Sequence, residues 1–191
     1  MARTLSVVGA PSSAGAYAPG QEKAPSTFRR HGLISALRRS GLTVLDRGDV
    51  PGFRWRPDPS NPKAMNVQAV RDVAKTLAEV VSTALHEEHN LLILGGDCTV
   101  ELGVVAGTLS RSASVGLIYV DVDLDLNPPA ASDGALDWTG VAHLLDLPGV
   151  ADELAGLAVR RPMLGAPDVL SSLPPMSRAA RQILLEPAIW Q

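Results

Sequence analysis

The residues best able to do chemistry in this chain stand in two short runs. The first, Gly95-Gly96-Asp97-Cys98, follows the apolar stretch Leu91 to Leu94. The second, Asp121-Val122-Asp123-Leu124-Asp125, follows the apolar stretch Val115 to Val120. Aspartates two apart on a continuing strand all point to one face. Three anions held together repel one another, the more so in a low dielectric. A bound cation, raised pKa values or full exposure to water must relieve that repulsion. Carboxylates are hard ligands suited to Mg²⁺, Mn²⁺ or Ca²⁺. The same spacing also suits an acidic, solvated turn after a strand. It does not suit an EF-hand loop, which would need Gly and Glu where Leu126 and Ser132 stand.

The glycine pair of the first run would let a strand turn sharply into a helix, with Asp97 capping that helix or holding a ligand. Cys98 would then lie at the helix N-terminus, where the dipole lowers a thiol pKa. A nucleophilic thiol needs a base, and His143 is the only histidine downstream. A lone cysteine in an apolar region is more often a small buried packing residue. Neither a third spaced glycine nor a Walker lysine follows, so a phosphate-binding loop is poorly supported.

The elements that must position these runs alternate along the chain. Thr4 to Gly9 reads as a buried strand. Pro25 to Ser40 reads as one helix ended by Gly41, and Leu42 to Leu45 as a second strand. Asp46 to Lys63 is proline-rich and reads as a loop. Asn66 to Glu88 is the clearest helix, with Val70, Val73, Leu77, Val80 and Ala84 at steps of three and four. Leu91 to Leu94 and Val115 to Val120 read as strands buried on both faces, with a helix over Val100 to Leu109 between them. Such alternation predicts an α/β fold with right-handed crossovers and a parallel sheet covered on both faces. In such sheets ligands bind beyond the carboxyl ends of the strands, where both runs lie. After Val150 the signal weakens. Leu157 to Leu164 reads as a further strand, and Ala179 to Gln191 as an isolated helix at most.

Composition narrows the field. At 191 residues and 46% apolar, the chain has enough material for one domain with a full core. The net charge is -3 with no basic patch, which argues against a nucleic-acid partner. A single cysteine excludes an internal disulfide framework and fits a reducing compartment. No run suits a signal peptide or a membrane span. A cytoplasmic protein is the expectation.

Taken in order, these segments resemble the arginase/agmatinase/formiminoglutamase (ureohydrolase) family. In that family one strand ends in Gly-Gly-Asp-His and the next in Asp-x-His-x-Asp, often followed by Asn. A Ser-Gly-x-x-His-Gly segment then leads into a helix. Here Gly95 to Thr99, Asp121 to Asn127 and Ser132 to Leu145 stand at those places. The opening is similar too, with Gly9-Ala10-Pro11, Gly15, Gly20 and the stretch Pro25 to Leu33. The resemblance covers about residues 4 to 150.

It implies a three-layer α/β/α domain with a mostly parallel sheet over residues 1–155, followed by a weakly assigned segment, 156–191. It also implies two Mn²⁺ ions bridging a hydroxide that attacks a guanidinium carbon. Asp121 and Asp125 match metal-ligand carboxylates. Cys98 and Asp123 stand where the family has ligand histidines. Asp137 stands near the position of the proton-transfer histidine, with His143 as a second candidate for that role. Asn127 and Trp138 are candidates for contacting substrate.

The departures have physical consequences. A thiolate favours Zn²⁺ or Fe over Mn²⁺, and Asp for His adds a negative charge. The family draws two further metal aspartates from a downstream Asp-x-Asp segment. After Asp125 the acidic residues here are Asp133, Asp137, Asp146, Asp152, Glu153, Asp168 and Glu186, and none forms that pattern. The expectation is a fold incomplete at its C-terminus, holding one divalent ion of some kind or none. Its exposed sheet edge would lead it to aggregate, to pair with another chain (a homo-oligomer included) or to fold with marginal stability, with Ile183, Leu184, Leu185, Ile189 and Trp190 able to cover part of that surface. Two functions follow from the resemblance. One is an impaired metal-dependent hydrolase of linear amidines, acting on a small guanidino or formimino compound. The other is a degenerate, non-catalytic protein of the same fold.

Overall fold

The computed structural model describes residues 4–158 and 161–171. The chain runs β1 (Leu5–Ala10), α1 (Ala24–Arg30), α2 (Leu33–Arg39), β2 (Val44–Asp49), α3 (Val67–His86), β3 (Asn90–Gly95), α4 (Val100–Leu109), β4 (Leu117–Tyr119), α5 (Gly140–Leu144), α6 (Asp152–Ala155) and β5 (Val169–Ser171). Every strand pairing is parallel. Helices and strands form the three-layer α/β/α arrangement that the alternating pattern predicts.

β1 is the central strand of the order β2-β1-β3, with Leu5 opposite both Val44 and Asn90. Its position explains its composition. Val7, Val8 and Ala10 are buried, and a strand paired on both sides has little contact with water. α3 buries Val67, Val70, Val73, Ala74, Leu77, Val81 and Ala84, the stripe expected from their spacing. Part of this stripe packs with Val8, Ala10 and Val50, and another part with Leu102, Val105 and Leu109 of α4. α3 and α4 approach closely because α4 presents Gly103 and Gly107. A methyl at either position would lie 2.5 Å from a backbone carbonyl oxygen of α3, that of Ala74 or Ala78. Arg29 braces α1 to the end of β2 through a forked contact with Asp46, with Nε 3.0 Å and Nη2 2.9 Å from its carboxylate oxygens.

The structure differs from the sequence expectation at several points. The stretch read as one helix from Pro25 breaks at Gly32, whose φ of 82° lies in the left-handed region. β2 extends to Asp49 and takes the start of the stretch read as loop. The strands read as doubly buried are not. Leu91, Leu92 and Ile93 are half-buried, while Ile118 and Val120 are 71% and 74% exposed. The cause is pairing. β4 joins only β5, in a separate two-stranded sheet, and among the described residues no strand pairs with the outer edge of β3. No described residue between Leu157 and Leu164 is in a strand, and β5 begins five residues later, at Val169.

The described part of residues 156–191 packs against the rest. Met163 and Leu164 are buried with Leu144 and Leu154, and the Leu164 N–H donates to the Leu144 carbonyl at 2.9 Å. The apolar tail from Ile183 to Trp190 lies outside the described residues, as does the helix considered over Ala179 to Gln191.

Candidate metal centre

β4 ends at Tyr119, and the chain bends through residues 121–123. The alternation that would have put three aspartates on one face is therefore lost. Asp123 is exposed, and its carboxylate accepts the Leu124 N–H at 2.7 Å. Asp121 is exposed and accepts the Val122 N–H at 2.6 Å. Asp125 turns inward. It is buried with φ at 51°, and one carboxylate oxygen, Oδ2, accepts the Tyr119 hydroxyl. The Asp125 carbonyl accepts the Ala142 N–H at 3.0 Å, which ties the turn to α5.

The glycine-rich corner faces this turn. Asp97 is buried and accepts the Gly15 N–H at 3.1 Å, the Thr99 N–H at 3.0 Å, and the hydroxyls of Ser12 and Thr99. It locks the corner to the buried loop 12–16. Burial still pushes its pKa up, although those donors pull the other way. Cys98 follows, two residues before α4 begins at Val100. Its Sγ lies 4.0 Å from Asp121 Oδ2. One donor atom each from Cys98, Asp121 and Asp125 lie within 4.8 Å of one another. Among the described residues this is the one such group of metal-capable side chains.

The electrostatics are those of a crowded anionic site. Burial, followed by the charges of Asp125, Asp121, Glu101 and Asp137, pushes the Cys98 thiol up to about 12. This reverses the expectation of a thiol activated by a helix N-terminus. Asp125 is raised to about 6, first by burial and also by Asp121 and Asp123, against the pull of the Tyr119 hydroxyl. Asp137 is raised to about 6, by burial and then by Asp97. Its N–H donates to the Gly15 carbonyl at 3.0 Å, which holds it beside the corner.

The remaining candidates are placed as follows. His143 is buried on α5, with Nδ1 2.7 Å from the Thr139 carbonyl and Nε2 accepting the Ala151 N–H at 3.0 Å. Both ring nitrogens are thus engaged by backbone, which leaves neither for proton transfer. Burial holds its pKa below the ordinary histidine value, in keeping with a neutral ring. Trp138 is half-buried, donates from Nε1 to Ser132 Oγ at 3.2 Å and meets Tyr17 edge-on at 5.1 Å. Asn127 is half-buried, two residues beyond Asp125. Two residues that the sequence did not single out also belong to the site. One is Tyr119, through Asp125. The other is Glu101, the single charged residue of α4, whose isolation in an apolar helix was its only sequence signal.

The donors fit one cation. A thiolate and two carboxylates supply three ligands and leave positions for water, with a preference for softer ions than Mn²⁺. They do not fit a pair of ions, because Asp123 lies outside the group and no second set gathers among the described residues.

The arginase family model matches residues 3–164. The chain belongs to the arginase family. Its arginase relatives include human Arginase-1, 29% identical over 170 residues that make up 88% of this chain and 53% of the human one. The arginase of Bacillus subtilis (strain 168) is 34% identical over 127 residues, 66% of this chain and 43% of that one. A solved structure of Bacillus subtilis arginase superposes with a TM-score of 0.81 at 27% identity, covering 98% of this chain and 62% of that one. The chain thus spans about half the length of the curated arginases it matches.

Proposed function

We propose that this chain is a non-catalytic member of the arginase fold that holds a single divalent cation between Cys98, Asp121 and Asp125. The observation that supports this reading is the three-donor group itself, within 4.8 Å and without Asp123. Hydrolysis of a guanidino or formimino C–N bond by a bridging hydroxide requires two ions a few ångströms apart. One ion in a thiolate-containing site supplies Lewis acidity but no bridge. The donor set favours Zn²⁺ or Fe²⁺ over Mn²⁺. His143 is spent on backbone, so Asp137 is left as the candidate for moving a proton. A small guanidino or formimino compound remains the class of molecule the site would admit, with Asn127 and Trp138 as contacts. Among the described residues no helix is long and apolar enough to cross a membrane. With the free thiol of Cys98, this supports a cytoplasmic setting.

Metal analysis of the purified chain, with urea release from arginine and agmatine measured alongside, tests the reading. We expect no more than one ion per chain and no urea. Two Mn²⁺ ions per chain with turnover would overturn it.

A further inference from the structure

We propose that residues 183–190 of this chain fold back onto the exposed apolar surface of Ile118, Val120 and Val122, with Arg178 and Arg181 brought near the exposed Asp123. The proposal does not depend on which ion the three-donor group holds, or on whether it holds one.

The surface follows from the alternation of β4. Leu117 and Tyr119 pack against the core from one face of the strand, which leaves Ile118 on the other face, open to solvent. Val120 and Val122, in the stretch that follows, are as open. Aliphatic side chains grouped this way on a surface mark a place where something docks.

Three observations name the occupant. The first is where the chain leaves the described residues. β5 runs parallel to β4 with Ser171 opposite Tyr119, so residue 172 starts beside Val120. The second is length and composition. Residues 172–182 include Pro174 and Pro175 and span up to roughly 36 Å when extended, which is ample to turn back over a three-residue strand. Residues 183–190 then carry Ile183, Leu184, Leu185, Ile189 and Trp190, with Glu186 as their one charge. The third is charge. The apolar side chains of the surface alternate with the exposed carboxylates of Asp121 and Asp123, and Asp123 stands outside the three-donor group. Arg178 and Arg181 precede the apolar segment and complement it. A second copy of the chain fits less well. A two-fold pair on this surface would set Asp121 and Asp123 of each copy against the same residues of the other, and like charges repel.

Trp190 is the probe. The difference between the emission spectra of the full chain and of Trp190→Phe isolates its signal from Trp55 and Trp138. In the wild type we expect that signal to lie to the blue of N-acetyltryptophanamide, and to stay there on dilution while light scattering reports a monomer. Ile118→Asp should move it to the position of the free indole, and so should Leu184→Asp, which alters the segment and leaves the surface intact. Should Ile118→Asp fail to fold, Val122→Asp tests the same surface from the bend. Arg178→Glu combined with Arg181→Glu should move it part of the way. A free-indole spectrum in the wild type would overturn the proposal. A blue-shifted signal that survives both the surface variant that folds and Leu184→Asp would overturn it too, because the segment would then sit elsewhere. A blue shift lost on dilution, in step with dissociation of a dimer, would overturn it in favour of a second copy.

Discussion

A methyl group placed on Gly140 would stand 1.8 Å from Glu101 Oε1. α5 therefore starts with the one residue type that leaves room for this carboxyl. The carboxyl is the far end of a flexible side chain, so Gly140→Ala should displace it at little cost to the fold. We expect a stability change below about 1 kcal/mol in urea denaturation of the metal-free protein. A loss of several kcal/mol would show that the carboxyl cannot move aside.

The contact between α3 and α4 behaves differently. At Gly103 and Gly107 the added methyl meets backbone carbonyl oxygens of Ala74 and Ala78, which cannot swing aside. Gly103→Ala and Gly107→Ala should each cost about 1–3 kcal/mol, the usual penalty of overpacking a core. Chemical denaturation of each variant measures this. Wild-type stability in either would mean that the helices can separate freely.

Stability should depend on pH in an unusual direction. Glu101 is raised to about 8, and Asp125 and Asp137 to about 6, against unfolded values of roughly 4. Over that window the folded state binds more protons than the unfolded state, so stability falls as pH rises. The metal-free melting temperature should be higher at pH 5 than at pH 8, and a divalent ion should reduce the difference. Below about pH 4 the slope reverses, because the hydrogen bonds from Arg29 hold Asp46 below the ordinary carboxylate value. Melting curves across pH 3 to 9 in chelator test this. A temperature that climbs from pH 5 to pH 8 would contradict it.

Cys98 should be a sluggish nucleophile. With its thiol pushed up to about 12, the thiolate fraction at pH 8 is minute. Alkylation by iodoacetamide should run at least about a hundredfold slower than for an ordinary thiol of pKa near 8.5. A rate matching that of glutathione would show that the surrounding carboxylates do not act on the sulfur as described.

Much of the architecture was legible in the sequence. The α3 stripe and the buried β1 follow from local spacing, and the corner at Gly95 to Cys98 and the acidic turn were found from residue type and order. What local pattern does not carry is which neighbour each element meets. The run Val115 to Val120 is apolar throughout, yet Ile118 and Val120 are open to solvent, because the pairing of β4 is decided elsewhere in the chain. The parity rule failed for Asp123 because β4 stops at Tyr119 and the rule needs a continuing strand. Spacing puts Cys98 at a helix terminus, but burial decides its protonation first, and then the charges of Asp125 and Asp121, 27 and 23 positions away. Glu101 escaped notice for the same reason. Nothing near it in sequence announces that its carboxyl is buried against Gly140.

Ile118, Val120 and Val122, near the end of β4 and in the bend after it, are 71%, 74% and 92% exposed. Exposed apolar side chains favour self-association in concentrated solution, and net charge opposes it. The net charge of -3 is small, and mild acid neutralises it. The conditions that hold each molecule most firmly folded are then those that leave it most prone to clump. Purification has to be steered between the two, at slightly alkaline pH with a divalent ion present.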